Sequence, residues 1–455
     1  MGGSVGTVTQ VMRVQRWSDM DASARAALMG RGTDEIFDPA LRASIGALIE
    51  DVAARGDDAV CDALARFDGV RLEPHQLRVT DEEIDAAVAT IDDGLAQAIT
   101  EMIDGIRRFN EQVVERSGRD WSFESRPGLT VGEKVSAIHS AGLFCPSGKA
   151  SYPSVLAQIA TPAVVAGVPR IVVITPPVPG HPDGRVDPAT LAVARRLGLR
   201  DVFRVNGPAG VAAVAFGTRT IPKVVKVVGP GSPAVTCAQV EVQRHGCATM
   251  MLLGPSESLI VADDTADPVR LAADLLNEAE HGTDSASLLI TPSAALAARV
   301  EAEVARQVAV LPGPRAEAAR AALGGNGGCV LVASIEEAAE VANAYGPEHM
   351  QVVTADDDRT LAMLHTAGEI LLGQHTTLSA ANFVIGCPAS LPTSGFASVS
   401  SGVTSLAFLK RTAVARADEA AMRAMAPAVT ALADHEGFPA HANAQRIRVG
   451  GWPTR

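Results

Sequence analysis

From about Ala137 onward the sequence alternates short apolar runs with amphipathic stretches, and this alternation constrains the fold more than any other feature. Within Val168 to Pro177 the run IVVITPP is too short for a helix and is closed by prolines, so it reads as a buried strand. Asp187-Pro188 supplies an N-cap and a first-turn proline for a helix through Arg196. Asp201 to Val205 reads as the next strand, Val211 to Phe216 as a short helix, and Val224 to Val228 as a further strand. A second series follows, with strands at Ser258 to Ala262, Ser287 to Thr291, Gly327 to Ala333 and Met350 to Val353. Helices at Pro268 to His281 and Ala294 to Leu311 fall between them. Strands separated by helices pair in parallel, so the order predicts doubly wound sheets.

Helical periodicity also covers Leu41 to Phe67 and Ile84 to Phe109, before the alternation begins. The alanine-rich tail from about Val414 reads as helical, with Pro427 as a kink or restart and a last segment from Ala440 to Arg448. The expected architecture is α/β, with two Rossmann-like doubly wound domains and smaller helical additions at both ends. Residues 138–254 form one domain, and residues 41–137 with 255–395 form the other, discontinuous one. Residues 1–40 are an N-terminal extension and 396–455 a C-terminal helical segment.

A net charge of −13 without a basic stripe argues against a nucleic-acid surface. No run of about 18 apolar residues occurs, so no membrane span is expected, and Met1 to Arg16 lacks the apolar core of a secretion signal. Six cysteines stand without a CxxC pair, which fits reduced thiols and a cytoplasmic location. Neither GxGxxG nor a Walker loop is present. Small-molecule chemistry is the class left open.

Four segments carry side chains suited to it. In Asn277-Glu278-Ala279-Glu280-His281-Gly282, Glu278 and His281 are three apart near the end of a helix and share a face. A carboxylate and an imidazole so placed make half a metal site, although such pairs are most often solvated surface. Tyr345-Gly346-Pro347-Glu348-His349 puts a potential base and proton shuttle on a turn before a strand; a polar loop is the plainer reading. Glu436-Gly437-Phe438-Pro439-Ala440-His441 holds another histidine beside a turn, and Leu391-Pro392-Thr393-Ser394-Gly395 with Ser400-Ser401-Gly402 reads as tightly packed loops. Gly-Pro loops at Gly207, Gly229 and Gly254 flank expected strands, where open α/β sheets bind ligands.

Taken in order, these segments resemble the histidinol dehydrogenase family over about Leu41 to Arg448. Gly142 to Pro146 with Ala150 to Ser154, Gly229-Pro230-Gly231, Gly254-Pro255-Ser256-Glu257, Ala279-Glu280-His281, Pro347-Glu348-His349, Leu391-Pro392-Thr393 and Glu436…His441 fall in family order. The resemblance implies a zinc- and NAD-dependent oxidation of an amino alcohol to the acid in two steps. It implies metal ligands at His281 and His441, a water-activating Glu348, a proton-transferring His349, and substrate contacts at Ser256 and Glu436. Because that family donates its last Glu and His across subunits, it also implies a homodimer formed through residues 396–455.

Departures accompany the matches. Glu278 stands where the family has a Gln ligand, and Asn382 where it has an Asp ligand, so the formal charge of the site is unchanged. The expected metal set is therefore Glu278, His281, Asn382 and His441. On the cofactor side Phe144 replaces Tyr, Ala209 replaces Gln and Ser232 replaces Asn, each losing or shortening a hydrogen-bonding group. Two enzyme readings follow: a dehydrogenase with weakened NAD binding, or a metal-dependent non-redox enzyme that uses Glu348 and His349 to activate water. A binding or regulatory protein that kept only the fold is the third reading, and the retained Glu348, His349, His281, His441, Ser256 and Glu436 speak against it.

Overall fold

The computed structural model describes residues 11–31, 38–147, 151–250 and 254–450; Ala150, part of one family-like loop, lies outside them. In chain order the strands are β1 (Val14–Arg16), β2 (Trp121–Arg126), β3 (Leu129–Ala137), β4 (Ser140–Phe144), β5 (Arg170–Thr175), β6 (Asp201–Arg204) and β7 (Lys226–Val228). They continue with β8 (Glu257–Ala262), β9 (Ala286–Thr291), β10 (Gly328–Leu331), β11 (His349–Val353), β12 (Glu369–Leu372) and β13 (Leu409–Ala417). A six-stranded parallel sheet runs in the order β1-β10-β9-β8-β11-β12, and a four-stranded parallel sheet in the order β6-β5-β4-β7. A small antiparallel sheet, β13-β3-β2, completes the set. The chain is thus α/β with parallel sheets, as its alternation requires.

Successive side chains of a strand point to opposite faces, and in both large sheets both faces are apolar. Along β8, Leu259 and Val261 enter one core while Ile260 and Ala262 enter another. Leu143 and Phe144 of β4 divide in the same way. Burial on both faces removes the alternation that marks a half-exposed strand, which explains the continuous apolar runs. The connecting helices begin as the sequence suggests: Asp187 accepts from Thr190 N ahead of Pro188, and Asp267 accepts from Val269 N ahead of Pro268.

Several expectations are corrected. Residues 41–137 do not join the sheet of residues 255–395. Ile45, Ile49 and Val52 of helix Pro39–Arg55 enter one core of the four-stranded sheet, and Ile99, Met102, Ile103 and Ile106 of helix Asp93–Ser117 enter the other. Conversely β1, in the N-terminal extension, pairs with β10 and forms an edge of the six-stranded sheet. Periodicity reveals that a helix has an apolar face but not which core receives it. The long helices also break, at Gly56 (φ 60°) and before Asp93, where Asp92 caps a new start. Val414 lies in a strand, not a helix; β13 is exposed along nearly its whole length, so no inward apolar face marks it. Helix Glu419–His435 runs through Pro427 without a restart.

The six cysteines are all free, and among the described residues no helix is long and apolar enough to cross a membrane.

Candidate active site

In a parallel sheet all amino ends lie along one edge, and three ionisable residues of the six-stranded sheet collect there. Glu257 opens β8, His349 opens β11 and Glu369 opens β12, with His349 in register with both Ser258 and Glu369. The helix after β8, Pro268–Ala279, runs back toward the same edge and delivers Glu278 at its end, with His281 just beyond. The chain moves outward from β8 to β9 and β10 on one side and to β11 and β12 on the other, so β8 and β11 border the point where the winding reverses. Open α/β sheets usually bind ligands at the carboxyl edge of such a point; here the cluster occupies the amino edge.

Two hydrogen-bonded groups meet there. In the first, Ser256 Oγ lies 3.2 Å from His281 Nδ1, and His281 Nε2 lies 3.7 Å from Glu278 Oε2. Glu278 Oε1 accepts from Asn382 Nδ2 (2.8 Å) and Asn277 Nδ2 (2.7 Å). In the second, Glu348 Oε2 accepts from Glu257 N (3.0 Å), Glu348 Oε1 lies 3.8 Å from His349 Nε2, and His349 Nδ1 lies 2.5 Å from Glu369 Oε1. Expected residues Ser256, Glu278, His281 and Asn382 fall in the first group and Glu348 and His349 in the second, and Glu278 lies near enough to act electrostatically on both Glu348 and His349.

The loops around it are braced. Thr393 Oγ1 accepts from Gly254 N (2.5 Å) and Ser394 N donates to Glu257 Oε1 (2.8 Å). Ser394, at φ 55°, is the only non-glycine residue with a left-handed backbone among those described, a conformation that costs energy and recurs at functional sites. Arg31 donates to Glu257 Oε2 (3.0 Å) and to Tyr345 O (2.5 Å), with its guanidinium 3.5 Å over the Tyr345 ring. This ion pair is buried, its side chains 8% and 2% exposed. Arg31→Ala is therefore expected to destabilise the fold by about 3–5 kcal/mol, because it strands a buried carboxylate. Denaturant unfolding checks this, and a loss below about 1 kcal/mol would contradict it.

Carboxylates outnumber cationic side chains in the cluster. Glu257, Glu278, Glu348 and Glu369 are all buried, against Arg31, His349 and the partly exposed His281. Burial, with the nearby Glu278 charge, outweighs His349 and pushes Glu348 up to about 8. Burial opposes a charged His349, but Glu348, the Glu369 hydrogen bond and Glu278 outweigh it and raise the imidazole to about 10. Burial likewise opposes a charged Glu278, yet His349, His281 and the two amides hold it below its ordinary value. A largely buried cluster with more carboxylates than cations favours a bound cation, and carboxylate oxygen with imidazole nitrogen is an ordinary zinc donor set. Among the described residues of one chain, no three His, Cys, Asp or Glu side chains gather to hold a metal; Glu278 and His281 are two side chains of that kind side by side, and Asn382 adds an amide. Glu436 and His441 are not brought to the cluster within the chain. Glu436 caps helix Glu419–His435, and His441 is exposed on helix Pro439–Arg448 beside Phe438.

The expected cofactor residues lie at the carboxyl edge of the four-stranded sheet, around the reversal between β4 and β7. Phe144 ends β4, Ser232 follows the glycine-proline loop after β7, and Ala209 follows β6. The Phe144 ring is buried against the loops: a Cβ added at Gly207 or Gly231 would come within 3.2 or 3.0 Å of it. Ala209 is fully buried, whereas Ser232 is exposed and its side chain caps nothing.

Sequence reasoning assigned no role to Arg31, Glu257 or Glu369. Glu257 had a signal, a carboxylate directly after Ser256 at a strand start. Glu369 opens an apolar run, Ile370 to Leu372, too short to stand out as a strand.

The histidinol dehydrogenase family model matches residues 33–449. A protein from Colwellia psychrerythraea (strain 34H) named histidinol dehydrogenase homolog is 38% identical over 442 residues, 96% of each chain. The histidinol dehydrogenase of Bradyrhizobium diazoefficiens is 39% identical over 409 residues, covering 90% of this chain and 93% of its own. The crystal structure of histidinol dehydrogenase from Elizabethkingia anophelis superposes with a TM-score of 0.91 at 29% identity, covering 97% of this chain and 99% of its own. By sequence over nearly its full length, the chain belongs to the histidinol dehydrogenase family.

Proposed function

We propose that this enzyme, a dehydrogenase-type oxidoreductase by family, is a zinc-dependent, NAD-linked dehydrogenase of a polar primary amino alcohol such as histidinol, oxidised towards the aldehyde and acid. The observation that supports it most is the meeting of Glu348 and His349 with Ser256, Glu278 and His281 at one sheet edge. His349 takes the hydroxyl proton at Nε2 as the alcohol becomes an aldehyde, and again when the hydrate becomes the acid. Glu348 takes a proton from the water that adds to the aldehyde. Ser256 Oγ binds a polar group of the substrate. Glu278, His281 and Asn382, with His441 of a second copy, would hold the zinc ion, which when bound supplies charge stabilisation for substrate oxygen or nitrogen. NAD, when bound, would supply the acceptor for the hydride released in each oxidation.

The second copy is part of the reading: we propose a cytoplasmic homodimer. The tail helices Glu419–His435 and Pro439–Arg448 bury only alanines (Ala421, Ala426, Ala433 and Ala442), while Leu432, Phe438 and Ile447 are 62%, 51% and 52% exposed. A helix pair with so little apolar burial needs a further surface to pack on. Donation of Glu436 and His441 to the partner's cluster fits that need. In this reading the two parallel sheets act as Rossmann-like halves, the four-stranded one taking NAD beside Phe144, Ala209 and Ser232.

One observation favours a non-redox, metal-dependent alternative in which Glu348 and His349 activate water. Phe144 fills its crevice with an apolar ring and Ala209 offers no polar reach. Each lost hydrogen bond costs about 0.5–1.5 kcal/mol, so NAD is expected to bind in the millimolar range. Phe144→Tyr with Ser232→Asn is expected to tighten NAD roughly five- to hundredfold in calorimetry. Ala209→Gln is left out because overpacking a buried site costs about 1–3 kcal/mol. No NAD or NADP binding in either protein would favour the non-redox reading.

A further inference from the structure

We propose that Glu369 is a positioning residue that holds His349 by its Nδ1–H and leaves Nε2 as the nitrogen that works. The proposal deepens the reading in which His349 transfers protons, and rests on it. Glu369 Oε1 lies 2.5 Å from His349 Nδ1, inside hydrogen-bond range for a charged acceptor. The backbone fixes this pair before the side chains do. His349 and Glu369 stand in register on neighbouring parallel strands, and Glu369 N and Gly368 N donate to Glu348 O (3.1 Å) and Pro347 O (3.0 Å). The approach is close: a Cβ at Gly368 would come within 2.5 Å of Glu348 O.

The bond has no evident structural purpose. Both side chains are buried, 3% and 6% exposed, and the second carboxylate oxygen, Oε2, makes no hydrogen bond. A buried carboxylate with one oxygen unpaired is a net cost to folding, so its effect must lie in what it does to the imidazole. With Nδ1 engaged, the free edge of the ring is Nε2, which faces Glu348 Oε1 at 3.8 Å. In its base form the ring carries one proton, and an acceptor at Nδ1 keeps that proton there, leaving the Nε2 lone pair to accept the substrate's. A ring free to rotate or to change tautomer spends much of its time in the wrong state for that transfer.

Stability and turnover separate this role from a merely structural one. Glu369→Met, close in volume and apolar, removes the half-paired carboxylate without opening a cavity. Its thermal midpoint is expected to move little, because losing the half-paired carboxylate offsets leaving the buried His349 Nδ1–H unbonded, while kcat for NAD reduction with histidinol falls about ten- to a thousandfold and KM moves by less than about threefold. Proton NMR supplies a readout independent of turnover. The wild type should show a far-downfield imidazole N–H resonance that is absent from both His349→Ala and Glu369→Met. A lower midpoint with unchanged kcat, or a resonance missing from the wild type or persisting in Glu369→Met, overturns the proposal. If histidinol and NAD give no turnover at all, the dehydrogenase reading fails on that ground, while the resonance still decides whether Glu369 holds His349.

Discussion

His349→Ala is expected to lower kcat for both oxidation steps by about 10²–10⁴-fold, the usual contribution of a positioned general base. Glu348→Gln should behave differently, because in this mechanism Glu348 acts on water and not on the alcohol. Its amide keeps the acceptor oxygen for Glu257 N (3.0 Å in the native protein) and so keeps the loop in place. The first oxidation should survive within about tenfold while acid formation falls by a factor on the order of 10²–10⁴, so the aldehyde accumulates and is countable by mass spectrometry. Equal loss of both steps in Glu348→Gln would contradict the division of labour. So would a His349→Ala enzyme with near-native kcat.

Removal of residues 419–455 is expected to abolish activity and metal retention together. The cut falls after β13, whose pairing with β3 is left intact, so the remainder keeps its three sheets. What it loses is Glu436, His441 and the sparsely buried helix pair of the tail. The truncated chain should be monomeric in light scattering and should fall from about one zinc per subunit to nearly none. His441→Ala isolates the ligand from the interface: the dimer should persist while zinc retention drops. A truncated chain that keeps full metal content, or a native protein that is monomeric and fully loaded, would contradict the shared site.

The parts of this molecule legible in the sequence are those with a local physical cause. Asp187 and Asp267 announce helices because capping and first-turn prolines act within three residues. The runs of β5, β8 and β9 announce strands because both of their faces are buried. Glu278 with His281 could be paired on helical spacing alone, and Glu348 with His349 by adjacency. That these pairs meet came only from the ordered family resemblance, since 70 residues separate them in the chain. Glu369 and Arg31 escaped because their roles arise from strand register and from a long-range ion pair, neither of which leaves a local pattern. Assignment of residues 41–137 failed for the same reason: an amphipathic helix shows that it needs a core, not which one. The exposed β13 has no periodic signal at all.

Nicotinamide reduction by zinc-loaded protein supplied with L-histidinol and millimolar NAD tests the central claim most directly. Reduced NAD is expected to form at about two equivalents per alcohol consumed, with histidine as the end product, and to be lost in His349→Ala. Protein that holds zinc and dimerises yet reduces neither NAD nor NADP with histidinol or other polar amino alcohols, at any cofactor concentration, would contradict the claim.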